Sequence, residues 1–169
     1  VGLGKLTVID FDTVDASNLV TQGWRHNQIG IPKVQALADN VESIVPEVSA
    51  AGHMVPIARN FLEMTDEELV ELAQDASILM FMCDDFFAQA RGNRLALKLQ
   101  KPAIFAMMYE QARCCEITFL IPGVTPACHR CATSNRYKAY LEEGYENTIG
   151  SQGSMIFQTH MLNDLIGMI

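Results

Sequence analysis

Positive charge is scarce in this sequence. Twelve lysines and arginines stand against twenty aspartates and glutamates, giving a net charge of −8 and a pI near 4.9. No field of that sign gathers nucleic acid or anionic lipid, so both classes of partner drop out. Long apolar runs are missing too. Ile78 to Cys83 stops at Asp84 and Asp85, far short of the roughly 18 residues that span a bilayer. The cysteines do not form an even set: Cys83, Cys114, Cys115, Cys128 and Cys131 make no disulfide framework. A reducing, cytoplasmic location is the expectation. Neither a basic leader nor an apolar signal segment opens the chain, which enters a strand pattern from Val1 rather than Met. A preceding segment is therefore expected. Repeats and low-complexity tracts are absent as well.

What the chain does have is core material: 49% of its 169 residues are hydrophobic, enough for a domain of this size to bury about 70% of its unfolded surface. Leu6-Thr7-Val8-Ile9 is a β-rich run ending on Asp10-Phe11-Asp12. Pro32 opens a helix in which Val34, Leu37, Val41 and Ile44 recur at helical spacing, and Pro46 closes it. Met54 to Ala58 suits a short strand. Thr65 with Glu68 forms a capping-box pattern ahead of a helix running to Gln74. Ile78 to Cys83 is apolar without alternation, as for a strand buried on both faces, and again ends on carboxylates. Phe86 to Gln100 reads as a helix weakened by Gly92, Ala103 to Met108 and Glu116 to Ile121 as strands, and Met155 to Ile169 as the last helix. The polar stretch 133–153 reads as a flexible crossover. Alternating strands and helices predict an α/β fold, Rossmann-like, with a parallel or mixed sheet, helices on both faces and a cysteine-bearing loop.

Carboxylates at the C-terminal ends of parallel strands sit where open α/β sheets bind ligands. Asp10 and Asp84, expected at one sheet edge, suit a nucleotide ribose and a Mg²⁺ ion, since a carboxylate accepts two hydroxyl bonds or offers hard oxygen to the metal. The alternative is that strand ends are acidic because they meet solvent. Lys33, at a helix opening that already favours an anion, suits a phosphate; the alternative is a solvated lysine. Gly2-Leu3-Gly4-Lys5 is not a phosphate loop, because a strand follows it where a helix is required. Cys128-His129-Arg130-Cys131 has the spacing that brings two sulfurs to one Zn²⁺, and half a zinc site, a redox dithiol and two idle thiols all remain open. The four histidines suggest no catalytic triad.

Residues 5–46 carry an ordered set: Lys5 to Val14, then Ser17-Asn18-Leu19, Gln22, Ile29-Gly30, Pro32-Lys33 and Val45-Pro46. In order and spacing they resemble the ThiF, MoeB and ubiquitin-activating adenylation family. Cys83-Asp84-Asp85 resembles that family's Thr-Asp-Asn strand end, and Asn93 falls at its following helix asparagine. Pro122-Gly123 through Cys128 to Cys131 resembles its first zinc pair, and Gly153-Ser154-Met155 the start of its late helix. The resemblance implies a single adenylation domain over 1–169 whose glycine-rich loop precedes Val1. It implies an enzyme, an adenylyltransferase that activates the C-terminal carboxylate of a ubiquitin-like or sulfur-carrier protein, or of a peptide, with ATP and Mg²⁺, releasing pyrophosphate.

By position, the resemblance makes Asp10 the ribose ligand, has Ser17 and Asn18 line the nucleotide, gives Lys33 phosphate and Asp84 magnesium, and counts Asp12, Gln22 and Asp85 in the same site. It implies structural zinc on Cys128, Cys131 and a second pair beyond Ile169, and a homodimer, for which the apolar circumference of the last helix is a further hint. Two positions depart from the pattern. Thr21 stands where the family commonly has a phosphate-contacting arginine, leaving Arg25 as the nearby cation, and Asp85 stands in place of asparagine. A non-catalytic partner subunit of the same fold accounts for both departures. A nucleotide-dependent oxidoreductase is suggested only by general architecture.

Overall fold

The computed structural model describes residues 4–46, 53–109, 112–146 and 154–169. The chain divides into two compact units, 1–65 and 66–169. The Gly2-Leu3 part of the opening turn and residues 147–153 of the expected crossover lie outside the described residues.

In the first unit, strand β1 (Leu6–Ile9) pairs in parallel with β2 (Met54–Ile57), Leu6 opposite Met54 and Ile9 opposite Ile57. A parallel pair needs a crossover, and helix α2 (Lys33–Ile44), which packs on β2, supplies it. Its predicted stripe is only partly inside: Val34, Ala36 and Ala38 are buried, whereas Ile44 in the last turn is exposed. Between β1 and α2 run a 3₁₀ turn (Ala16–Asn18) and the short α1 (Leu19–Gln22). Gly30, at φ +83°, turns the chain so that Thr13 bridges Pro32, and Val14 and Gly30 exchange backbone bonds at 2.8 Å with Ile31 and Val14. That ladder returns the start of α2 to the end of β1.

The second unit contains helix α3 (Asp66–Ala73) and a sheet of order β3-β4-β5. β3 (Leu79–Phe81) runs parallel to β4 (Ala103–Met108), joined by α4 (Phe86–Leu99), while β5 (Cys115–Leu120) returns antiparallel, Ala103 opposite Leu120. The strand buried on both faces is β4, where Ala103 to Ala106 are all inside. The run 78–83, expected in that role, forms a three-residue strand that alternates: Leu79 is buried, but Ile78, Met80 and Met82 are exposed. Among the described residues β3 pairs with β4 alone, and its inner face meets α4 through Phe81. Gly92 is the accommodation for that contact, since a Cβ there would overlap the Phe81 ring.

Two further helices, α5 (His129–Ala132) and α6 (Ser134–Leu141), follow β5, and α7 (Ile156–Gly167) ends the unit. The segment 133–153, expected to be a flexible crossover, thus holds a helix. Tyr137 is buried against Phe86, with ring centroids 4.9 Å apart, and Tyr140 stacks on Phe86 at 4.3 Å. α7 lays Leu162 and Ile166 on Ile104 and Ala106, with Met108, Cys115 and Ile117 around them. Each of those two side chains contributes about 1.5–3 kcal/mol by burial. Phe157, Met161 and Leu165 remain exposed. The fold is mixed α/β as expected, but β1 and β3 belong to different sheets among the described residues, so Asp10 and Asp84 do not end strands of one sheet.

Candidate functional site

Asp10 follows β1, its backbone N–H still on the ladder to Ile57. Its Oδ1 accepts the Asp12 N–H at 2.8 Å, which folds the carboxylate back over the strand end and leaves Oδ2 as acceptor. Asp12 is tied to the start of α2 twice. Its carbonyl accepts the Lys33 N–H at 2.8 Å, and its Oδ2 receives the Lys33 ammonium at 2.7 Å. The lysine expected to meet phosphate is thus already ion-paired.

The neighbouring residues named in the sequence reading serve the local backbone. Asp15 caps the 3₁₀ turn by accepting the Ser17 N–H at 2.8 Å, and the Asn18 side-chain oxygen accepts the Asp15 N–H in return. Hydrogen bonds from the Ser17 backbone and side chain hold the Asp15 carboxyl below the usual carboxylate range. Gln22 accepts the Trp24 indole N–H at 2.9 Å, and Thr21 donates back to the Asn18 carbonyl. Arg25 is exposed, and its backbone N–H is held by Gln28. Gln28 is buried and fully used, donating to the Ala36 carbonyl and to Asn40.

In the second unit Asp84 and Asp85 fall between β3 and α4. Asp85 is the N-cap, its Oδ1 accepting the Ala88 N–H at 2.7 Å, which satisfies one of the open donors of the first turn. Asp84 has no side-chain partner among the described residues. Its position is set from behind by Gln89, 1% exposed, whose amide donates to the Cys83 carbonyl at 2.7 Å and the Ala106 carbonyl at 3.3 Å. One side chain thereby ties the C-terminal ends of two parallel strands to α4. Gln89 in turn accepts from Arg136 of α6, whose guanidinium also reaches Glu116 at 2.8 Å and the Tyr109 hydroxyl. The sequence reading missed Gln89 and Arg136. The signal was available for Gln89: it is a polar residue on the same helical face as Phe86, Asn93 and Ala96, where burial obliges it to find partners.

Cys128 and Cys131 lie with their sulfurs 3.8 Å apart, Cys128 at the N-cap of α5. Burial pushes the Cys128 thiol up, but bonds from the Cys131 backbone and from the Asn93 amide outweigh it and hold it below the ordinary thiol range. Two zinc-bound sulfurs at about 2.3 Å from a tetrahedral centre stand about 3.8 Å apart, so the pair fits one edge of such a site. No group of three or more metal-ligating side chains occurs among the described residues. His129 points away from the sulfurs, stacked on Phe105 at 4.3 Å with Nδ1 at 2.7 Å from the Thr118 hydroxyl. Burial, helped by Arg136 and opposed by Glu116, lowers its pKa to about 4.

The sequence matches the model of the ThiF family over residues 1–161. It is 26% identical over 147 residues to ubiquitin-like modifier-activating enzyme 5 of Gallus gallus, covering 84% of this chain and 37% of that protein. It is 30% identical over 135 residues to the enzyme of that name from Bombyx mori, covering 78% and 34%. The chain therefore spans little more than a third of the length of these relatives. Among solved structures, E. coli MccB with AMPCPP and MccA superimposes with a TM-score of 0.71 at 19% identity, over 97% of this chain and 46% of that one. PaaA superimposes with a TM-score of 0.64 at 15% identity, over 94% and 52%. These structures share the chain's Rossmann-like fold, and the match along nearly the whole sequence makes the chain a member of the ThiF family.

Proposed function

We propose that this chain is the adenylation part of an enzyme that activates the C-terminal carboxylate of a ubiquitin-like protein, a sulfur-carrier protein or a peptide. The observation that carries the reading is Asp84, a carboxylate without a side-chain partner among the described residues, held at the end of a parallel strand by the buried Gln89. Membership of the ThiF family and the likeness to proteins named as activating enzymes support it.

In the reaction a carboxylate oxygen attacks the α-phosphorus of ATP, the bond to the bridging oxygen breaks, and pyrophosphate leaves, giving an acyl adenylate. Two anions must be brought together, so positioning and positive charge are what the protein has to supply. Asp10, with Oδ2 open, accepts the ribose hydroxyls. Ser17, Asn18 and Gln22 shape the nucleotide wall as a bonded turn. Lys33 turns from Asp12 to phosphate, an exchange of one exposed anion for another. Arg25 supplies the cation that Thr21 does not. Asp84 would hold magnesium, whose charge stabilises the departing pyrophosphate. Asp85 keeps α4 capped, which explains a carboxylate in place of an amide there: either side chain accepts the Ala88 N–H. Cys128 and Cys131 would hold one edge of a zinc site completed by residues outside the described set, and the exposed side of α7 would pair two copies. The reading implies a cytoplasmic protein.

A second reading, a partner subunit without catalysis, rests on Thr21, whose hydroxyl bonds the Asn18 carbonyl and so offers nothing to phosphate. Exchange of labelled pyrophosphate into ATP by the intact protein separates the two. Exchange that depends on a carboxylate-terminated protein or peptide supports the enzyme. Nucleotide binding with no exchange for any carrier tried leaves the subunit.

A further inference from the structure

We propose that Arg136 of α6 is a positioning residue for the Asp84 end of the site: it fixes the direction in which the Gln89 amide faces, and through that amide the strand end that carries Asp84. The proposal rests on the adenylation reading for what Asp84 does, and on the hydrogen bonds of the second unit for how it is held.

Gln89 is 1% exposed, so each polar atom of its amide needs a protein partner. On one side it meets the carbonyls of Cys83 at 2.7 Å and Ala106 at 3.3 Å, and a carbonyl only accepts. The amide nitrogen has to face these two strands, which turns the oxygen away from them. Among the described residues the donor to that oxygen is Arg136, whose Nη1 stands 3.3 Å from Gln89 Oε1. Turned round, the amide would set its oxygen against two carbonyl oxygens and its nitrogen against a guanidinium. Strand carbonyls and Arg136 together leave one of two isosteric orientations.

The guanidinium is itself held on its other side. Nη2 donates to Glu116 Oε2 of β5 at 2.8 Å and to the Tyr109 hydroxyl, which donates to the same Glu116 oxygen at 3.1 Å. The Tyr109 ring centre lies 5.9 Å from the guanidinium carbon. Burial, opposed by Arg136 and helped by Glu116, raises the Tyr109 pKa, so its hydroxyl keeps the proton that it donates. With Arg136 only 16% exposed and Glu116 27%, the pair is shielded and directional. Arg136 thus links α6 and the open end of the β4–β5 pair to one amide on α4.

This layout calls for arginine rather than lysine. A guanidinium presents donors on more than one edge of a plane, and here Nη1 serves Gln89 while Nη2 serves Glu116 and Tyr109. A lysine ammonium gathers its donors on one atom. Paired with Glu116, it would keep the charge balance and leave Gln89 Oε1 without its donor. Arg91 provides the contrast: it starts from the same helix as Gln89, but its pair with Asp66 at 2.6 Å ties α4 to α3.

The test compares Arg136→Lys with Arg91→Lys in the intact protein, by pyrophosphate exchange and by the solvent exchange of the Gln89 side-chain amide protons followed by NMR. Arg136→Lys should speed the loss of those protons and lower the maximal rate of pyrophosphate exchange, each by about tenfold, with the KM for ATP within about twofold of the parent. Its Mg²⁺ dependence should shift to higher concentration, which a loss of folded protein alone would not produce. Arg91→Lys should change none of these. In a Gln89→Leu background Arg136→Lys should cost no further exchange, because the link is already cut. Amide protons unchanged in Arg136→Lys, a loss of exchange no larger than in Arg91→Lys, or losses that add in the double variant overturn the proposal. If the parent shows no carboxylate-dependent exchange, the adenylation reading fails and takes the positioning of Asp84 with it, and the amide protons alone decide whether Arg136 orients Gln89.

Discussion

The two units hold their candidate residues in opposite ways. In the first, the polar groups around the end of β1 sit near the surface and bond to near neighbours in sequence: Asp10 to Asp12, Asp15 to Ser17, Gln22 to Trp24. The ion pair of Lys33 with Asp12 reaches further along the chain and leaves the carboxylate half exposed. In the second, Asp84 is set by the buried Gln89, which reaches from α4 to the Cys83 and Ala106 carbonyls, and Asn93 and His129 are buried as well. Exposed pairs are cheap to exchange for a ligand, whereas buried networks hold one geometry because any break leaves an unsatisfied group.

If that contrast is right, the largest effect belongs to Asp84. In the intact protein Asp84→Ala should lower pyrophosphate exchange by at least about a hundredfold while nucleotide affinity changes much less, since the charge it helps to stabilise grows in the transition state. Exchange within a few fold of the parent removes Asp84 from the chemistry.

The buried network predicts a pH dependence of stability. His129 has a folded pKa of about 4 against an ordinary 6.5, so the folded state prefers the neutral ring. Between those values the unfolded chain binds more protons, and stability should be full above pH 6.5 and decline as pH falls toward 4. The loss is on the order of 3 kcal/mol. Urea unfolding followed across this range should flatten in His129→Gln. An unchanged slope in that variant would mean that another group titrates.

Gln89→Leu should cost about 1–3 kcal/mol, because the Cys83 and Ala106 carbonyls each lose a donor and Arg136 loses an acceptor. It should also reduce exchange through displacement of Asp84, with a smaller rise in the KM for ATP. Gly92→Ala belongs in the same range, about 1–3 kcal/mol, as the new methyl presses on Phe81. Calorimetry on both variants ranks them.

Much of this was legible in the sequence, for identifiable reasons. Helix α4 was read over Phe86 to Gln100, close to its observed bounds, and α2 was marked by Pro32 and a helical repeat. Six apolar residues in the run 78–83 do not say which strand lies at the centre of a sheet; that depends on neighbours, and among the described residues β4 is flanked on both sides. The segment 134–141 looked like a linker because its few anchors, Arg136, Tyr137 and Tyr140, act on residues some 20 to 54 positions away. The candidate carboxylates Asp10 and Asp84 were read from strand ends. The residues that position them, Gln89 above all, were not, because their partners are main-chain carbonyls invisible in sequence.

The smallest effect should come from the first unit, and its sign is informative. A pair as exposed as Lys33 with Asp12 is worth at most about 1 kcal/mol, so Lys33→Ala and Asp12→Asn should each leave the urea midpoint nearly unchanged. Their effects on ATP should diverge. Lys33→Ala removes a cation from the phosphate and should weaken binding, with a shallower dependence on salt. Asp12→Asn removes the carboxylate that competes for Lys33 and should strengthen binding by a few fold. If Asp12→Asn weakens ATP instead, Asp12 is itself a ligand to the nucleotide or its metal, and the ion pair is part of the bound state rather than its competitor. If Lys33→Ala costs well over 1 kcal/mol of stability, the pair is structural, and the distinction between an exchangeable first unit and a fixed second one fails at its most exposed point.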